Sequence, residues 1–231
     1  MVANGTDSRE NFQTFLFMIP VEWLRFIQTS LDSFFPTPQS GLISNGCPYR
    51  LLVAVVLSAR CRDDQVNLVV PRLFALASTP ESMGRLSVDR IQATIRPCGL
   101  SAPKAKAIRE LSRLLVTRYR GQVPRSFEDL ESLPGVGHKT ASVVLGHAFG
   151  IPTFPVDTHV HRLARRWRLT RQNSVMATEK SLKNLFPPSL WYRLHLQLIQ
   201  YGRTLCNRYA CRPQNRCAVC RRLQDFFPDS E

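Results

Sequence analysis

Residues 133–161 read LPGVGHKTASVVLGHAFGIPTFPVDTHVH and contain a glycine turn between two helical patterns. Before the turn, Phe127, Leu130 and Leu133 recur every three residues, which predicts the apolar face of a helix. Gly135 ends that helix, and a second glycine follows two residues later. Because glycine adopts positive φ at little cost, the backbone can turn sharply at this point.

A second helix is predicted to open at His138, with Val143, Val144 and Phe149 on its apolar face. The first N–H groups of a helix have no partner within the helix. Together with the positive end of the helix dipole, they form a binding site for phosphate. The sequence therefore predicts a helix, a glycine hairpin and a second helix whose start suits a polyanion.

The segment LPGVGHKTASVVL resembles the helix-hairpin-helix motif of the endonuclease III family of DNA base-excision glycosylases. A second segment, VDTHVHR at residues 156–162, lies where that family places its catalytic aspartate. The resemblance implies that Lys139 and Asp157 are the catalytic residues. It also implies DNA contacts from the hairpin and from the residues that follow the aspartate, namely Gly135, Val136, Gly137, Thr140 and His159.

The same resemblance implies a bifunctional DNA glycosylase and AP lyase of base excision repair. Lys139 would attack C1′ of an oxidised pyrimidine nucleotide and form a Schiff base as the base leaves. β-Elimination would then cleave the strand 3′ to the abasic site. Burial, nearby cationic groups and the positive helix terminus would each favour the neutral amine that such an attack requires. Asp157 would stabilise the positive charge that develops at C1′.

Two alternatives remain open from the sequence. The first is a non-catalytic helix-hairpin-helix DNA-binding protein with a structural metal, in which Lys139 is solvated and Asp157 only caps the next helix. The second is a mismatch-specific monofunctional glycosylase of the same fold. The adenine-specific members of that group have no lysine in the hairpin and carry a further C-terminal domain.

The charge of the chain points to a polyanionic partner. Its 231 residues carry a formal net charge of +14. That balance is typical of nucleic-acid-binding proteins, although a membrane or ribosome partner would also fit. Next to a phosphate-binding hairpin, the predicted partner is double-stranded DNA that contains damaged bases or abasic sites. Four arginines that follow the aspartate are predicted to line the DNA groove: Arg162, Arg165, Arg166 and Arg168.

Two other segments resemble parts of the family that enter the DNA. LLVAVVLSARCRDD, residues 51–64, resembles the family's LLSxQxTD segment, with Arg60 at the position of the glutamine that fills the space left by the extruded base. GLSAPKAKAI, residues 99–108, resembles the GLxxxKAxxI turn, in which the residue matching Leu100 is an apolar wedge. Alternatively, Leu100 is a core residue that closes a helix turn.

The last four of the seven cysteines lie close together in the sequence. Four closely spaced cysteines predict a tetrathiolate site for [4Fe–4S] or zinc. The family carries a [4Fe–4S] cluster with the spacing C-x6-C-x2-C-x5-C, whereas this chain has C-x4-C-x5-C-x2-C and no cysteine near Phe226. We predict [4Fe–4S], with zinc or no metal as alternatives, held by Cys206, Cys211, Cys217 and Cys220. The remaining three are predicted to be buried small residues: Cys47, Cys61 and Cys98.

The chain shows no run of alternating apolar residues that would predict a strand, so the predicted class is all-α. The family implies two lobes, with a six-helix lobe at residues 41–151. The second lobe would combine residues 10–40 with residues 152–231 and carry the cysteines. No stretch reaches about 18 uncharged apolar residues, so no membrane span is expected. We expect a cytoplasmic, nucleoid-associated monomer.

Overall fold

The computed structural model describes residues 19–207, 209, 211 and 216–228. All regular structure in these residues is helical, which confirms the predicted all-α class. Two short 3₁₀ turns, Arg96–Cys98 and Pro188–Leu190, accompany the α-helices. In chain order the α-helices are α1 (Val21–Phe34), α2 (Pro48–Ser58), α3 (Asp63–Leu76), α4 (Pro80–Arg85), α5 (Val88–Ile95), α6 (Ser101–Tyr119), α7 (Phe127–Glu131), α8 (His138–Phe149), α9 (Thr158–Arg166), α10 (Val175–Leu185), α11 (Trp191–Thr204) and α12 (Ala218–Phe226).

The described helices form two units. The first is continuous in sequence, Ser40–Pro155, and contains α2 to α8. The second combines the described residues up to Gln39 with those from Val156 onward, so α1 belongs with α9 to α12. Of the residues that the sequence assigns to a terminal lobe, residues 10–18 lie outside the described part of the chain.

Helix α2 is the centre of the continuous unit. Every residue from Leu51 to Leu57 is buried, and the helix packs against α3, α6 and α8. Pro48 lies in its first turn, where a missing N–H costs nothing. Burying each leucine or valine contributes about 1.5–3 kcal/mol, so this helix supplies a large part of the unit's hydrophobic stabilisation.

Helix α6 begins at a turn in which two successive residues have positive φ. Gly99 has φ +63°, and Leu100 has φ +46°. A leucine in the left-handed region costs about 1–2 kcal/mol, so surrounding contacts must hold it there. Helices α4 and α5 pack along α6, and Thr79 caps α4 through a reciprocal capping box with Ser82.

The terminal unit is built on the buried face of α1. Trp23, Ile27 and Leu31 are buried, and the indole nitrogen of Trp23 donates a hydrogen bond of 2.8 Å to the carbonyl of Trp167. Helix α11 packs against both α1 and α9. Phe34, at the end of α1, is 46% exposed, so the buried face of this helix ends at Leu31.

Candidate functional site

The glycine hairpin precedes α8 and is anchored by the residue between its two glycines. Val136 is buried, and its N–H donates to the carbonyl of Leu133 at 3.1 Å. Gly135 has φ +78°, and a Cβ at this position would lie 3.0 Å from the Cβ of Ala107. Gly137 has φ −100°, with open space where a Cβ would stand. Only the first glycine is therefore required by backbone conformation and by crowding.

Helix α8 begins with an uncapped first turn. Gly137 is its N-cap residue, and no described side chain accepts from the first N–H groups. His138, Lys139 and Thr140 supply these groups in order. An uncapped helix start directs its N–H donors and its positive dipole end outward, which is the arrangement that binds phosphate.

The side chain of Lys139 is exposed, so of the three factors that favour a neutral amine, burial does not apply here. Its position on the first turn of α8 explains the exposure, because side chains at an uncapped helix start project from the surface. Its neighbour His138 is held by two contacts: Nδ1 lies 2.7 Å from a carboxylate oxygen of Glu131, and the ring stacks on Phe127 with centroids 5.0 Å apart.

Asp157 is half-buried and caps α9. Its Oδ1 accepts hydrogen bonds of 2.9 Å from the backbone N–H groups of His159 and Val160. The capping role that the sequence analysis raised as an alternative is thus present. A carboxylate that accepts two N–H bonds is fixed in orientation.

His159 lies on the first turn of α9 and is half-buried. Its Nδ1 is a buried atom with no hydrogen-bond partner among the described residues. The side chain packs beside Gly202 of α11, where an added Cβ would lie 3.3 Å from the Cβ of His159. Gly202 therefore permits close packing between α9 and α11.

The two residues predicted to enter the DNA both occupy exposed turns. Arg60 is exposed with φ +53°, just after α2. Leu100 is 53% exposed, which excludes its assignment as a core residue. Leu100 thus combines a strained left-handed backbone with an exposed apolar side chain, and such strained positions concentrate at functional sites.

Four cysteines form a potential metal site. The sulfur atoms of Cys206, Cys211, Cys217 and Cys220 all lie within 4.8 Å of one another. Four sulfur atoms within reach of one ion or cluster are the donor set of a tetrathiolate site, so the residues present fit [4Fe–4S] or zinc.

Cys211 is the fourth cysteine at the site. The region near Phe226, where the family pattern has its last cysteine, makes a different contact. Phe226 lies on α12, and its ring packs against Trp23 with centroids 5.0 Å apart. The position at which the related cysteine pattern would place its last ligand is therefore an aromatic contact with α1.

Two arginines of α9 contact the cysteine segment, a partner that their sequence spacing did not predict. Arg162 donates to the carbonyl oxygens of Cys206 at 2.6 Å and Gly202 at 2.9 Å. Arg166 donates to the sulfur of Cys206 at 3.2 Å. The spacing of four residues puts both on one helical face. The arginines are evident in the sequence, but no sequence pattern indicates their partners, which lie about 40 residues further along the chain.

Of the three remaining cysteines, two differ from the expectation of buried small residues. Only Cys98 is buried, whereas Cys61 is partly exposed and Cys47 is exposed. In the part of the chain that the structure covers, no helix is both long and apolar enough to cross a membrane.

Comparison with known proteins places the chain in a family. Residues 53–188 match the model of the HhH-GPD superfamily of base excision DNA repair proteins. Endonuclease III of Bacillus subtilis is 38% identical over 205 residues, which cover 88% of this chain and 91% of that protein. A non-covalent endonuclease III–DNA complex is structurally similar, with a TM-score of 0.81 and 35% identity over 90% of this chain and 99% of that one.

A trapped endonuclease III–DNA covalent intermediate gives the same TM-score of 0.81 at 35% identity, over 88% of this chain and 98% of that one. The chain therefore belongs to the HhH-GPD superfamily and, within it, to the endonuclease III family. This assignment confirms the predicted class of enzyme, a base-excision DNA glycosylase with AP lyase activity. It also favours [4Fe–4S] over zinc at the four cysteines.

Proposed function

We propose that this chain releases oxidised pyrimidines from duplex DNA through the amine of Lys139 and then cleaves the strand at the abasic site. The observation that carries the proposal is the lysine on the uncapped first turn of α8, directly after the glycine hairpin. That turn supplies a phosphate site and a nucleophile within two residues of each other. A non-catalytic hairpin would need the phosphate site alone.

Binding would begin with the DNA backbone at the start of α8. The N–H groups after Gly137 would hold a phosphate, and the net charge of +14 would strengthen association at low salt. A target base inside a duplex is out of reach, so the nucleotide must be extruded. Arg60 and Leu100, both exposed on turns, would fill the space that it leaves.

The chemistry would then proceed at C1′ of the extruded nucleotide. The neutral amine of Lys139 attacks C1′, and the base leaves with the electron pair of its bond to C1′ and takes up a proton. The attached amine gives one proton to O4′ as the sugar ring opens, which leaves a protonated Schiff base between Nζ and C1′. Removal of a proton from C2′ then forms the C2′–C3′ double bond and expels the 3′ phosphate in a β-elimination. No step needs an external oxidant.

Asp157 would act electrostatically while the base departs. Its carboxylate is fixed by the two N–H bonds from α9, so it does not have to reorient as positive charge develops at C1′. Its negative charge would lower the energy of that cationic centre. His159 would contact a neighbouring phosphate from the same helix turn.

The [4Fe–4S] group would be held by Cys206, Cys211, Cys217 and Cys220. When bound, it cross-links the segments that carry the four thiolates and adds binding free energy to folding. Arg166, which donates to the sulfur of Cys206, would offset part of the negative charge. We further place the enzyme at the nucleoid as a monomer, with residues 41–151 as the hairpin lobe and residues 10–40 and 152–231 as the terminal lobe.

The test is covalent trapping with borohydride. Purified protein is incubated with a duplex that carries one thymine glycol, and in parallel with an abasic-site duplex. We expect an adduct with both duplexes. Lys139→Ala should form none while it still binds the DNA, whereas Lys180→Ala, at an exposed position on α10, should form as much as the unmodified protein. An adduct of normal yield with Lys139→Ala would refute the assignment of the nucleophile.

A further inference from the structure

A lysine that the proposed chemistry does not use is buried at the start of α6. The side chain of Lys104 is only 6% exposed. Its ammonium group donates hydrogen bonds to the carbonyl oxygen of Leu57 at 2.8 Å and to that of Cys98 at 2.9 Å. Lysine is seldom buried, because taking its charge out of water costs free energy that its contacts must offset. Both acceptors are backbone carbonyls, so the ammonium group fixes the main chain at two places.

Both acceptors lie at the C-terminal end of a helical segment. Leu57 is the next-to-last residue of α2, and Cys98 is the last residue of the 3₁₀ turn Arg96–Cys98. Carbonyl groups in the last turn of a helix have no partner within the helix, and the helix dipole places negative partial charge there. One ammonium group therefore satisfies carbonyls from two helix ends and supplies the positive charge that the end of α2 favours.

Each of these helix ends leads into a turn that contains a non-glycine residue with positive φ. Arg60, with φ +53°, follows Leu57 closely in the sequence, and Leu100, with φ +46°, follows Cys98. The left-handed region costs such a residue about 1–2 kcal/mol, so contacts outside the turn must hold it there. The two hydrogen bonds from Lys104 hold the backbone just before each turn and connect the two turns through one side chain.

We propose that Lys104 is a positioning residue for lesion binding, which fixes the Arg60 turn and the Leu100 turn relative to each other. This inference rests on the proposed function, in which Arg60 and Leu100 fill the space left by the extruded nucleotide. Two side chains that enter the DNA together must keep a set separation, and a misplacement of about 1 Å can cost on the order of a hundredfold in function. Because Lys104 is buried, it acts through the two turns and not through a contact of its own with the DNA.

The experiment compares substitutions at Lys104 with a buried control on the same helix. Lys104→Met removes both hydrogen bonds at a similar side-chain length, whereas Lys104→Gln keeps an N–H donor on a shorter side chain. The control is Ser112→Ala, because Ser112 is fully buried and its hydroxyl lies 2.7 Å from that of Tyr49, about two helical turns further along α6. Every protein is used in its metal-loaded form, and urea unfolding measures how far each substitution destabilises it.

DNA affinity is measured with a duplex carrying a tetrahydrofuran abasic analogue and with the undamaged duplex of the same sequence. We expect Lys104→Met to bind the tetrahydrofuran duplex about tenfold more weakly, while its affinity for the undamaged duplex, which depends on phosphate contacts, stays the same. A 2-aminopurine base next to the analogue fluoresces more when it is unstacked, and this rise should be smaller with Lys104→Met. Lys104→Gln should give intermediate values, and Ser112→Ala should keep the affinity ratio and the fluorescence even where it lowers stability.

Either of two results would overturn the proposal. One is a folded Lys104→Met protein with the affinity ratio and the fluorescence of the unmodified protein. The other is an equal loss of lesion preference in Ser112→Ala, which would attribute the effect to stability alone. If Lys104→Met does not fold, the comparison of Lys104→Gln with Ser112→Ala decides by the same criteria. Since the analogue forms no Schiff base, the test does not depend on Lys139, and its failure is distinguishable from failure of the trapping experiment.

Discussion

Helices α8 and α9 begin close together in the sequence, yet their first turns are built in opposite ways. Helix α8 follows Gly137 and receives no hydrogen bond from a described capping side chain. Helix α9 follows Asp157, which accepts from two of its backbone N–H groups. A glycine N-cap places no side chain over the first N–H groups of α8, whereas the aspartate N-cap occupies that position at α9. Under the proposed function, Asp157 would therefore serve chemistry and folding together.

The largest effect expected from this contrast concerns the charge of Asp157. Asparagine caps helices about as well as aspartate, so Asp157→Asn should keep the fold while it removes the carboxylate. We expect base release to slow by about 10²–10⁴-fold, measured by single-turnover kinetics on a thymine glycol duplex. Binding to the tetrahydrofuran duplex is the control. Base release at the unmodified rate would limit Asp157 to capping.

The contrast extends to the other end of α9, where Arg166 contacts the sulfur of Cys206. If Cys211 is the fourth ligand, Cys211→Ser should lower iron and acid-labile sulfide per chain and lower the melting temperature. Cys47→Ser, at an exposed position outside the cluster, is the matched control. Iron and sulfide contents equal to those of the unmodified protein would show that Cys211 is not a ligand.

Substitutions of the two hairpin glycines before α8 are expected to reduce the free energy of unfolding by different amounts. Gly135→Ala introduces a Cβ 3.0 Å from that of Ala107 at φ +78°, and we expect a loss of about 1–3 kcal/mol in the free energy of unfolding. Gly137→Ala meets open space at φ −100° and should cost less. Urea unfolding compares the two. Equal losses would mean that crowding at Gly135 is relieved by movement of α6.

The smallest effect is the capping contribution of Asp157. Asp157→Ala removes both N–H bonds to α9 and should reduce the free energy of unfolding by about 0.5–2 kcal/mol relative to Asp157→Asn. Thermal unfolding of the two variants side by side measures that difference. Lys139→Gln, on the uncapped helix, should match the unmodified protein. A loss at Lys139 as large as at Asp157 would contradict the comparison.

Local patterns were sufficient for the helices around the hairpin. The three-residue spacing before Gly135 and the cap at Thr79 each depend on neighbours in sequence, and the structure has both elements. The same applies to the proposed catalytic residues, which were found through a short motif. Their surroundings were less predictable: Lys139 is exposed, so burial does not favour its neutral amine.

Contacts between distant residues could not be predicted from the sequence. Helix α12 was not anticipated, and its Phe226 packs against Trp23 at the opposite end of the chain. Arg162 and Arg166 of α9 likewise contact residues about 40 positions further along the chain, because periodicity gives a helix face but not its partner.

The terminal unit has a consequence for biosynthesis. Helix α1 leaves the ribosome first, but Trp23 bonds to the carbonyl of Trp167, 144 residues later, and its ring meets Phe226. The continuous unit, Ser40–Pro155, contains its own core and can fold while the remainder is still being translated. Helix α1 cannot complete these contacts until residues as far as Phe226 have been synthesised. Contacts of long sequence separation also form slowly. Assembly of the cysteine segment is therefore among the last events in the maturation of this protein.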